Sequence, residues 1–233
     1  MYKLMKLELK KFKISGYIKG AIITNLIILG LLFMAVYLPE FGEDRIINNF
    51  NDVFWMTDAF VKAPFTIFAA VLISRLIISE YKNKTINVLF TYPINREKIM
   101  LAKLAVVATF TFITMIISNF FLNCSLFVLN IFINFTQDPL TVDILQKSMI
   151  NIVLYSVTFA FINLIPVCVG MKKKSGSATI ITSIILVSIL NSGTNGNTLS
   201  SIIVIPIILA VIGAITSYLS IKDIEKVDVI DCY

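Results

Sequence analysis

Side chains able to do chemistry are few in this chain, and most of them stand apart. Histidine is absent, which removes imidazole acid–base chemistry and the usual histidine zinc sites. Cys124, Cys168 and Cys232 have the spacing of neither a metal site nor a disulfide framework; the first two sit in apolar stretches as small hydrophobes. Gly170-Met-Lys-Lys-Lys-Ser-Gly176 carries a lysine run without the spacing of a phosphate-binding loop. No paired carboxylates fall within an apolar stretch, so no hydrolytic or group-transfer constellation is evident. What remains is Ser79–Lys103, where acids, bases, a proline and a short apolar run follow closely on one another. Its chemistry is that of recognition.

Within that segment Thr85 can cap a short helix beginning at Ile86, on which Val88, Leu89 and Phe90 present an apolar surface. Pro93 stops this helix, because proline lacks a backbone donor and disfavours helix in the residue before it. Asn95 can cap the next helix, with Arg96 and Glu97 following in its first turn, where the dipole favours the acid. A connector needs only a few residues, so this one is longer than chain reversal requires. A short helix with an apolar face and charged flanks suits helix-in-groove recognition by a partner. It suits equally a surface helix packed on its own bundle, and the residues alone leave both readings open.

The elements on either side explain the setting. Of 233 residues 58% are hydrophobic and only 15% charged, against about 25% charged in a soluble domain. Six apolar stretches are expected to span a membrane, at about 20–38, 63–78, 104–136, 149–170, 176–190 and 199–220, as one transmembrane domain over 1–233. The third is one long helix, roughly 50 Å if unbroken, and Pro166 interrupts the fourth. The fifth and sixth are split at Asn191–Asn197, whose residues NSGTNGN are turn formers. With both termini and the even-numbered gaps placed in the cytoplasm, seventeen of the twenty Lys and Arg residues lie inside. Only Arg45, Lys62 and Lys147 lie outside. The fold class is therefore an all-α integral membrane protein of the cell membrane, multi-pass, with residues 79–103 cytoplasmic. The basic charge, +6, is accounted for by topology, and nucleic acid is not an expected partner.

Residues 1–15 alternate lysines with Leu4, Met5, Leu7, Leu9 and Phe12, a pattern for an interfacial helix along the inner leaflet. The outer loop, Pro39–Lys62, combines acids with Phe50, Phe54, Trp55 and Phe60, as an aromatic patch at the interface or a reception site for an amphipathic substrate. Arg75 is the one charge inside a span; close to Glu80, it reads as an interfacial anchor or local ion pair, with an inner gate as the alternative. No acid or base is expected nearer mid-membrane. The small residues from Ser175 to Ser183 suit close helix packing, with a pathway lining as the alternative.

The order of Glu80, Thr85, Leu89, Pro93, Arg96 and Lys103, with the six-span topology and the basic amphipathic N-terminus, resembles the permease subunits of type-2 (ABC-2) ABC exporters over essentially the whole chain. The family often has Gly before the Thr, where this chain has Lys84. Small size and plain loops are similar to permeases for antimicrobial peptides, including bacitracin and lantibiotic exporters. The resemblance implies a non-catalytic subunit with no cofactor of its own. ATP and Mg would be bound by a separate cytosolic ATPase, whose groove receives Ile86–Thr91. A second permease chain, identical or related, would complete a dimer around the pathway. A reading of another class is a membrane scaffold or sensor subunit that docks a cytosolic partner without transporting anything.

Overall fold

The computed structural model describes residues 5, 15–37, 50–82, 96–133, 141–194 and 197–227. Helix α1 spans Ser15–Tyr37 and α2 spans Phe50–Ile73. A π-helical turn, Ser74–Ile78, carries α2 into a last short turn, α3 (Ser79–Lys82). Next come α4 (Arg96–Ile133), α5 (Val142–Ile162), α6 (Ile165–Lys173) and α7 (Gly176–Leu190). A two-residue antiparallel pairing, Gly193–Thr194 with Asn197–Thr198, and a 3-10 turn at Leu199–Ser201 lead into α8 (Val204–Val227).

Five helical runs are long and apolar enough to cross a bilayer: Gly16–Ala35, Phe50–Ile78, Glu97–Phe132, Val142–Lys173 and Val204–Lys222. The apolar helix α7 has 15 residues, about 22 Å of rise against a hydrocarbon core of about 30 Å. Large apolar side chains such as Ile117, Phe132, Ile181, Ile207 and Val211 stand exposed around the bundle. A shell of this extent suits hydrocarbon and not water. Hydroxyls along the same helices bond back to their own backbone, as Thr111 Oγ1 does to the Val107 carbonyl at 3.0 Å, which makes them tolerable in an apolar medium.

Several elements begin earlier than the sequence reading placed them. The second starts at Phe50 and not near Ala63, so Phe50–Lys62 is helix rather than outer loop. Its buried positions Phe50, Val53, Thr57, Val61 and Phe65 follow a three-to-four-residue spacing, the sign of one face packed in a bundle. The third starts at Arg96 and the fourth at Val142, whereas α8 starts later, at Val204. The break between α5 and α6 falls at Asn163-Leu164, just before Pro166, which has no N–H to donate to the carbonyl four residues back and whose ring crowds that carbonyl.

Helix α2 is the most enclosed, flanked by α4 on one side and α7 on another. Two buried apolar clusters stack along it. One surrounds the π-turn and joins Leu76, Ile77 and Ile78 to Met100, Leu104, Val167 and Met171. The other, toward Phe50, joins Val61 and Phe65 to Met115, Leu122, Phe159 and Leu190. Close approach is enforced at Gly213 of α8, where a Cβ would meet the Phe161 carbonyl of α5. The α6–α7 corner is closed by Lys174 in the left-handed region, φ 48°, capping α6.

Candidate functional site

Glu80 and Lys103, at opposite ends of the segment singled out by sequence, form a buried ion pair. Lys103 is 1% exposed and Glu80 9%. Lys103 Nζ also donates to the Leu76 carbonyl at 3.0 Å. That contact depends on the π-turn, in which the Ser79 N–H bonds to the Ser74 carbonyl, five residues back, so the regular spacing of carbonyl acceptors is broken. The pair thus ties α3, which continues α2 beyond the π-turn, to the first turns of α4. Arg96 begins α4, and Thr85, Ile86, Val88, Leu89, Phe90 and Pro93 lie outside the described residues, as does the proposed interfacial helix. Arg75, within the π-turn, is exposed, with its guanidinium carbon 6.0 Å from the centre of the Tyr17 ring on α1.

A second polar site was missed by sequence reading. Asp58 and Lys62, one turn apart on α2, form an ion pair inside the bundle. Lys62 is 3% exposed. Its ammonium lies 4.0 Å from the centre of the Tyr155 ring and 5.2 Å from that of Phe159, both on α5. It also donates to Ser200 Oγ in the 3-10 turn, at 3.4 Å. The ammonium therefore links α2, α5 and the approach to α8. Lys62 lies 13 residues before Arg75, about 20 Å along the helix, and so falls within the run Phe50–Ile78 that is long and apolar enough to cross a bilayer. The expectation of no charge nearer mid-membrane is corrected accordingly. The charges of Phe50–Lys62 made it look like loop; the four-residue spacing of Val53, Thr57, Val61 and Phe65 was the available signal of a buried helix.

Against known proteins, residues 4–189 match the family described as ABC-2 family transporter protein. This chain belongs to the ABC-2 transporter family. It is also 38% identical over 225 residues to the uncharacterized protein YcbO of Bacillus subtilis (strain 168), covering 97% of this chain and 99% of that protein. No solved structure matches the chain. With its apolar helices, membership makes the chain a multi-pass protein of the cell membrane. ABC-2 permeases are the membrane component of transporters in which a separate cytosolic ATPase normally hydrolyses ATP. Among the described residues of this ABC-2 permease, no group of three His, Cys, Asp or Glu side chains could hold a metal ion.

Proposed function

We propose that this chain is the membrane-spanning subunit of an ATP-driven exporter for amphipathic compounds, peptides with antimicrobial activity among them. Both termini face the cytoplasm, and residues 79–98 dock a separate cytosolic ATPase. Two permease chains, identical or related, flank the pathway. The observation that carries this reading is the Glu80–Lys103 pair with its Leu76 contact. A buried ion pair holding the feet of an inter-helix segment gives that segment a rigid base, so that a push on it moves α2 and α4 together instead of bending a loose connector. Family membership supports a separate ATPase as partner, and the bias of Lys and Arg supports a cytoplasmic position for the segment.

The test is affinity purification of the full chain, identification of the copurifying ATPase, and measurement of ATP turnover with and without the permease. Stimulated turnover that Leu89→Ala abolishes, with insertion unchanged, is the expected outcome. Labelling of Lys82 or Lys98 from outside intact cells would falsify the docking role. A copurifying partner whose turnover never depends on the permease favours a scaffold or sensor.

A further inference from the structure

A cavity of about 340 Å³ lies beside the Asp58–Lys62 pair, between α2, α5 and the turn at Ser200. The charged side chains on its wall are Asp58, Lys62 and Lys147, so one positive charge is in excess. Lys62 makes two close contacts, with Asp58 and the face of Tyr155, while its 3.4 Å reach to Ser200 is at the long limit of a hydrogen bond. An acceptor oxygen inside the cavity is a better partner than that hydroxyl. Lys147, exposed on the cavity wall, adds a positive charge that Asp58 does not neutralise, and an anion offsets it.

A second cavity, about 290 Å³, adjoins the first and shares Phe54, Ser148 and Ile152 with it. Its lining is mostly carbon, from Phe50, Phe120, Leu126, Phe127 and Met149. Phe120, Phe127 and Met149 are about half exposed, on the outer surface of α4 and α5, so this cavity opens toward hydrocarbon. Ligand sites range over about 300–1,000 Å³, and the two spaces together fall within that span. One end is charged and aromatic, the other apolar, and the small Ser148 lies at their junction.

We infer that the two cavities form one binding site for an anionic amphiphile. Its carboxylate or phosphate lies between Lys62 and Lys147, and its apolar body lies against Phe50, Phe120 and Phe127. The inference narrows the substrate class of the exporter and rests on that reading only in treating the ligand as cargo. Binding itself needs no ATPase, so it can be refuted while ATPase coupling stands, and the reverse.

Trp55 is the chain's single tryptophan and lines the charged cavity, which makes its fluorescence a local reporter. The full chain in neutral-lipid nanodiscs is titrated with bromine-labelled stearate, the matching alcohol and the matching alkyl ammonium, bromine being the quencher. Stearate is expected to quench at a concentration about tenfold lower than the alcohol, as for a charge-assisted hydrogen bond. Lys147→Gln, at an exposed position, and the charge-balanced double variant Asp58→Leu/Lys62→Met should each remove most of that advantage while leaving the alcohol curve in place. Discs with bromine-labelled phosphatidylglycerol or phosphatidylcholine separate a bilayer lipid from a free amphiphile. Preferential quenching by either anionic probe supports the site. Equal quenching by all head groups, or an advantage surviving both variants, overturns it.

Discussion

Breaking the Glu80–Lys103 pair should cost more from one side than from the other. Glu80→Leu strands the Lys103 ammonium at 1% exposure with the Leu76 carbonyl still beside it. The variant removes the buried ammonium's counter-charge, and an uncompensated buried charge costs about 3–5 kcal/mol. Lys103→Met strands the Glu80 carboxylate, whose side chain retains 11% exposure and can draw in water. The expected loss there is smaller, about 1–3 kcal/mol. In Glu80→Leu/Lys103→Met neither charge is left alone and both shapes are roughly kept, so stability should return to within about 1 kcal/mol of the parent. The signature is therefore a coupling of about 3 kcal/mol or more in a double-mutant cycle. Detergent-driven unfolding of the purified chain measures it. Additive single effects, or a larger loss for Lys103→Met than for Glu80→Leu, refute the electrostatic reasoning. The same double variant separates stability from coupling: a stable bundle that no longer stimulates its ATPase shows that the polar tie itself transmits force.

Lys62→Met should destabilise the bundle by about 1–3 kcal/mol by stranding Asp58, whose side chain keeps 15% exposure, whereas Asp58→Leu/Lys62→Met should recover most of the loss, read by the same unfolding assay. Gly213→Val should cost at least about 1–3 kcal/mol, because its side chain meets the Phe161 carbonyl backbone. Gly30→Ala, which meets nothing within 4 Å, should instead raise thermal stability by about 0.5–1 kcal/mol. Asn163→Leu should also stabilise, by about 1 kcal/mol or more, because both amide atoms of Asn163 are buried without a hydrogen-bond partner among the described residues; a fall in unfolding midpoint would show that the amide is bonded.

The helical bundle was legible because membrane spans are written in runs, and runs survive errors of a few residues. Glu80 and Lys103 stand out in the sequence as charges at the two ends of the segment 79–103. Their direct pairing is not legible, because it lies beside a π-turn, and a single extra residue in a helical turn leaves no mark in an apolar stretch such as Ser74–Ile78. Asp58 and Lys62 were misplaced for the opposite reason. Span finding treats charge as a reason to leave the membrane, and two opposite charges one turn apart can stay inside by neutralising each other.

Each ion pair has a member on the one continuous helical run made by α2, the π-turn and α3. Lys62 and Glu80 are 18 residues apart, about 27 Å along that run, with the π-turn between them. The stretch joining them is the most enclosed in the bundle, packed by Phe65, Ala69, Ile73 and Ile77, each at most 1% exposed. A tightly packed helix transmits displacement with little bending, since close-packed side chains leave no slack to absorb it. On the proposed coupling, a push on residues 79–103 therefore reaches the Asp58–Lys62 cavity as motion of α2 against α5. The contacts available to yield there are the long Lys62–Ser200 hydrogen bond and the cation–ring contact with Tyr155, both weaker than the ion pair that Lys62 keeps with Asp58 on its own helix. The geometry thus assigns an order: the seam between α2 and α5 opens first, and Lys62 travels with α2.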